Sequence, residues 1–169
     1  MKMKRKIALL FTMIFLIAAP VMAADSAAGW SAVIRATGQD LGGVSSYNVV
    51  FGVGDVEESL SAPPAPPEYS VKMELIGADG RRLAKQVQAL GDNQYVWTVA
   101  VDPRGNIGNA ASGTATLIWD LGNAVPGNCA LKAGKTGSGG ILVGDMKAVS
   151  SYQVTGSGGN QYYQLVCKP

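Results

Sequence analysis

Two cysteines, Cys129 and Cys167, are the side chains of this sequence best suited to covalent chemistry. Their number is even and no CxxC spacing is present, so the pattern reads as one structural disulfide rather than a redox pair. It would close a loop of ~39 residues, which constrains the unfolded chain by roughly 4 kcal/mol. A metal site would want more Cys or any His, and the chain has no His at all. The same absence removes the usual general base and the hydrolase triad. Carboxylates remain. Glu57 and Glu58 are adjacent, so on a strand they would face opposite ways, while Asp120 and Asp145 sit at strand ends or turns. A glycosidase could draw one acid from each of two strands, but nothing in the spacing selects a pair. We therefore expect no catalytic residues, no metal and no cofactor.

Gly134-Lys135-Thr136 has the letters that end a phosphate-binding loop. The first glycine of that motif would fall at position 129, which is Cys129, and no helical pattern follows. Aromatic side chains are the other candidates. Trp97 and Trp119 have apolar neighbours on their own strand faces, which reads as core, with a stacking platform for sugar as the alternative. Trp30 precedes the first strand, and Tyr162 and Tyr163 must point to opposite faces of a strand. Trp30, Tyr162 and Tyr163 are thus the candidate binding aromatics, and an exposed set of them could stack on carbohydrate.

The elements that would position these residues begin after the N-terminus. Lys2, Lys4, Arg5 and Lys6 precede an apolar run from Ile7 to Ala19, Pro20 ends it, and Val21-Met22-Ala23 offers small residues for cleavage. That is the pattern of a secretory signal peptide over 1–24, too short for a membrane span of about 20 residues. The expected mature chain, 25–169, is then exported to the periplasm or beyond, with no membrane span left. Four of the 14 basic residues and none of the 12 acids lie in the signal, so the mature chain carries 10 against 12, a net of −2. That balance argues against nucleic acid as a partner.

Beyond the signal, strand periodicity and turns dominate. Ser31–Thr37 and Tyr47–Val53 read as a hairpin. Val71–Ile76, Tyr95–Val101, Thr114–Leu121, Gly140–Val143, Ser151–Thr155 and Tyr162–Cys167 read as further strands. Arg81–Leu90 has helical spacing at Leu83, Ala84, Val87 and Leu90, with a strand as the alternative. The glycine clusters at 137–140 and 156–159 read as hairpin loops. Ser61-Ala62-Pro63-Pro64-Ala65-Pro66-Pro67 must be extended and reads as a stiff crossover between sheets, with a docking ligand for an aromatic groove as the alternative. Eight or nine short strands with Gly/Pro/Asn/Asp turns predict an all-β fold, a single antiparallel sandwich.

Phe51-Gly52-Val53, an acidic loop, the proline-rich 62–67, Trp97-Thr98-Val99-Ala100-Val101 and Ala115-Thr116-Leu117-Ile118-Trp119-Asp120 occur in that order. This layout resembles Ig-like β-sandwich modules of secreted bacterial proteins, of the flagellar-hook-cap and sorting-domain kind, over about Ser31 to Tyr152. The resemblance implies an Ig-like sandwich in an extracytoplasmic, non-catalytic setting. The expected function is a structural or protein-interaction module of the bacterial cell envelope with an extracytoplasmic protein partner. Carbohydrate binding through exposed aromatics, or a subunit of a surface fibre, are the alternatives.

Overall fold

The structure is a computed structural model, and it describes residues 29–40, 43–64, 71–103, 113–123, 125–156 and 159–169. The expected signal peptide, Pro66-Pro67 and residues 104–112 lie outside the described residues. The fold is all-β. In chain order the strands are β1 (Trp30–Asp40), β2 (Gly43–Gly54), β3 (Glu58–Ser61), β4 (Lys72–Ile76), β5 (Arg82–Ala89), β6 (Tyr95–Asp102), β7 (Gly113–Trp119), β8 (Asn128–Ala133), β9 (Ile141–Val143), β10 (Ser151–Gly156) and β11 (Gln161–Lys168).

Hydrogen bonding runs along one path, β10-β7-β1-β2-β5-β4-β6-β11-β8-β9, with β3 added on β5. The path nearly closes on itself like a barrel. Met146 N donates to the Cys129 carbonyl of β8 at 2.8 Å, and Trp119 Nε1 of β7 donates to the Met146 carbonyl at 2.7 Å. One residue of the β9–β10 connection thus bonds near both ends of the path.

The expected antiparallel arrangement is corrected at one place. β2 and β5 pair in parallel, Val50 opposite Lys85 through Gly54 opposite Ala89. The cause is the chain between them. β3 and β4 intervene, so β5 returns beside β2 running in the same direction, as parallel neighbours need a long crossover. The helical spacing in Arg81–Leu90 does not prevail either. β5 is fixed by neighbours on both sides, which outweighs a weak local preference. β10 and β11 are not hairpin partners, because β10 pairs with β7 while β11 pairs with β6 and β8, and Ser157-Gly158 of the expected 156–159 loop lie outside the described residues. The 137–140 cluster does join a hairpin, β8 to β9.

The alternation read from sequence decides the core. Ala32, Ile34 and Ala36 of β1, Val49, Phe51 and Val53 of β2, and Ala115, Leu117 and Trp119 of β7 are all buried, while Val33 between them is exposed. Trp97, with no exposed surface, sits among Trp30, Phe51 and Tyr95. Phe51 meets Trp97 edge-on at 5.1 Å between centroids, a geometry worth about 1 kcal/mol beyond area burial. The Trp97 indole N–H donates to the Gln86 carbonyl, so the ring is buried without an orphaned donor. Cys129 and Cys167 lie directly opposite in the β8–β11 pair and form the disulfide.

Candidate functional site

Burial separates the candidate aromatics. Trp30 is 7% exposed and packs edge-on against Phe51 and Trp97, covering one end of the core. Tyr163 is 8% exposed, and burial pushes its phenol up to about 12, with the Tyr152 phenol adding to the effect. Trp97 and Trp119 are buried as expected. Of the three candidates only Tyr162 keeps a partly open face, and Lys135 Nζ lies 5.7 Å from its ring centroid. The structure therefore does not bring Trp30, Tyr162 and Tyr163 together as one exposed surface.

Of the candidate carboxylates, Glu57 and Glu58 line one cleft of 380 Å3 with Asp79, Arg81 and Gln86, whereas Asp120 lines a different cleft and Asp145 accepts from the Lys147 N–H in an exposed turn. Both Glu58 and Asp79 have cationic partners there. Glu58 meets Lys85 Nζ at 2.7 Å, and Asp79 is paired with Arg81. The Arg81 backbone N–H, then its guanidinium, hold the Asp79 carboxyl below its ordinary range. A general acid needs the opposite shift. Among the described residues no group of three or more Cys, Asp and Glu could hold a metal ion.

The ends of the sheet path differ in a way that bears on binding. An edge strand presents unpaired main-chain groups, which proteins usually blunt with brevity, charge or proline. β9 has three residues, and β3 has four, with Glu58 inside it and Pro63-Pro64 just after. β10 has six residues, Ser151-Tyr152-Gln153-Val154-Thr155-Gly156, with neither charge nor proline. Among the described strands it pairs with β7 alone, on one side.

Register shows which groups of β10 stay open. Trp119 N donates to the Ser150 carbonyl at 3.0 Å, so Ser150 and Trp119 form a hydrogen-bonded pair. In an antiparallel ladder such pairs alternate, which makes Tyr152–Leu117 and Val154–Ala115 the next ones. The N–H and C=O of Ser151, Gln153 and Thr155 therefore point away from β7. All three residues are exposed, and no described residue supplies them a backbone partner.

The solvent face beside this edge is uncharged for two strands. Gln153 stands in a row with Thr116, Thr37 and Ser46, and Thr155 stands beside Thr114. Ser151 stands in a row with Ile118, Arg35 and Asn48, so Arg35 on β1 is the first charge inboard. Val154 is buried beneath the strand, and Tyr152 is half-buried against Tyr163 at 6.1 Å. The sequence marks β10 as a strand but not as an edge. The signal that could have found it is the lack of any charge or proline across 149–159.

β1, the first strand described, is paired on both sides, by β2 and β7. It is not a detached strand of the kind a strand-exchange fibre would donate. Among the described residues no helix is long and apolar enough to cross a membrane. No protein-family model, no curated protein and no solved structure matches this chain.

Proposed function

We propose that this chain is an exported, non-enzymatic protein-interaction or structural module of the bacterial cell envelope or surface, and that it engages protein through the open edge of β10. The observation that carries the reading is the outward main chain of Ser151, Gln153 and Thr155 on an unblunted edge. Adding a strand to such an edge draws affinity from main-chain hydrogen bonds and specificity from alternate side chains. The disulfide supports an oxidising, extracytoplasmic location, as the N-terminal signal pattern does.

The finer fold reading belongs to the same proposal. We take β10-β7-β1-β2-β5-β3 as one layer and β4-β6-β11-β8-β9 as the other layer of an Ig-like sandwich. Buried Trp97 and Phe51 between the layers support it, and the parallel β2–β5 pair is its departure from a purely antiparallel sandwich.

The test is a pull-down from envelope and culture fractions with the chain from Ala24 as bait. The expected result is a specific protein, retained by the native chain and lost with Gln153→Pro. Retention on polysaccharide resin, with no protein retained, would overturn the reading.

A further inference from the structure

We infer that the partner of the β10 edge is a second copy of this chain, docked antiparallel across a twofold axis at Gln153. This rests on the reading of the chain as a module acting through a strand edge, and it names the occupant of that edge.

A twofold axis places each residue of the strand opposite a fixed mate. With the axis at Gln153, Gln153 faces Gln153 of the second copy, and Ser151 faces Thr155. These are the three residues whose N–H and C=O point outward. Each hydrogen-bonded pair exchanges two bonds, so this register forms about six and leaves none of the outward groups unused. An axis at Tyr152 or Val154 shifts the register by two residues and strands the outward groups of one residue in each copy.

Charge favours the same occupant. Self-pairing sets like against like, so any charged residue on the strand would oppose it. β10 has none, and neither has β7 behind it. The first charge inboard is Arg35 on β1, and five strand spacings would separate it from its mate by about 24 Å, well beyond a Debye length of about 8 Å. The outward side chains, Ser151, Gln153 and Thr155, are of the types that bond across strands. An isologous contact of this kind uses up both edges and stops at two copies.

Sedimentation velocity of the mature native chain over about two decades of concentration tests this. A reversible monomer–dimer equilibrium is expected. Gln153→Pro removes one N–H per copy that has no backbone partner among the described residues, so folding is kept while both bonds of the central pair are lost. The dimer dissociation constant should rise about tenfold or more. Gln153→Lys and Gln153→Glu should each weaken the dimer, and mixing the two should restore it as a heterodimer. A native chain that stays monomeric throughout, or a dimer unmoved by all three variants, overturns the inference. The pull-down separates the two levels. A monomeric chain whose protein partner is still lost with Gln153→Pro keeps the edge reading and removes self-pairing. A partner retained by Gln153→Pro removes both.

Discussion

The Trp119 indole N–H lies 2.7 Å from the Met146 carbonyl oxygen and 2.8 Å from that of Val149, so one donor serves two carbonyls of the β9–β10 connection. Trp119 closes β7, and Met146 also bonds back to Cys129 in β8. The bond therefore spans the gap between the two ends of the sheet path. Trp119→Phe keeps most of the ring and deletes the donor, leaving the Met146 carbonyl without it in a buried setting. We expect a loss of about 1–3 kcal/mol in chemical denaturation. Amide exchange should quicken in 145–150 more than in β6, because the connection loses its tether while β6 keeps its pairing with β4 and β11. Uniform quickening would show that Trp119 acts only as core volume.

Glu74 carries a second prediction. The alternation of β4 sets it opposite Met73 and Leu75, on the face expected to meet solvent, yet its side chain is only 4% exposed. Lys72 Nζ at 3.1 Å and Arg82 Nε at 3.5 Å flank the carboxylate. Removing either cation leaves the other in place. Removing both leaves a buried carboxylate with neither. Lys72→Ala and Arg82→Ala should each cost about 1 kcal/mol or less, and the double variant about 3 kcal/mol. The excess over the sum is the measurement. Additive single and double values would show that solvent reaches the carboxylate.

Two glycines with similar backbone angles should respond differently. Gly80, in the Asp79-Gly80 turn, has φ +80 and open space where a Cβ would sit. Gly127 has φ +64, and a Cβ there would collide with the Lys168 carbonyl oxygen. Gly80→Ala meets only the left-handed backbone penalty, about 1 kcal/mol. Gly127→Ala adds a clash with main chain beside the disulfide, which requires β8 or β11 to shift. It should cost at least about 2 kcal/mol more than Gly80→Ala in thermal unfolding. Equal losses would mean the C-terminal residues yield freely.

Local pattern and long-range pairing divide what the sequence makes legible. Strands with alternation, such as Ala115-Leu117-Trp119 and Trp97-Val99-Val101, are readable because burial on one face writes period two into the residue types. β8 and β3 escape that reading. Asn128–Ala133 is short and mixes Lys132 with small residues, and Glu58–Ser61 is exposed throughout. Both exist because a neighbour pairs with them. The parallel β2–β5 contact is non-local and leaves no periodic mark. Cys129 and Cys167 are readable as a pair from their number, whereas their placement directly opposite each other depends on β8, which the pattern misses. The candidate site is legible in the same partial way. Its residues fall on a strand that the sequence predicts, but its openness is a property of where that strand lies in the path.

Tyr163 makes the last prediction, and it concerns alkaline pH. Its phenol is pushed up to about 12 from an ordinary 10, chiefly by burial. The folded state therefore holds the proton more tightly than the unfolded chain. The stabilisation is complete below about pH 10, where both states are protonated, and it drains away as pH rises towards about 12. The loss from this one group should reach at most roughly 3 kcal/mol. Denaturation midpoints measured across that window should fall for the native chain. In Tyr163→Phe the ring still fills the core beside Tyr152 and no proton is linked to folding, so the slope should flatten. An unchanged slope would assign the alkaline loss to another group.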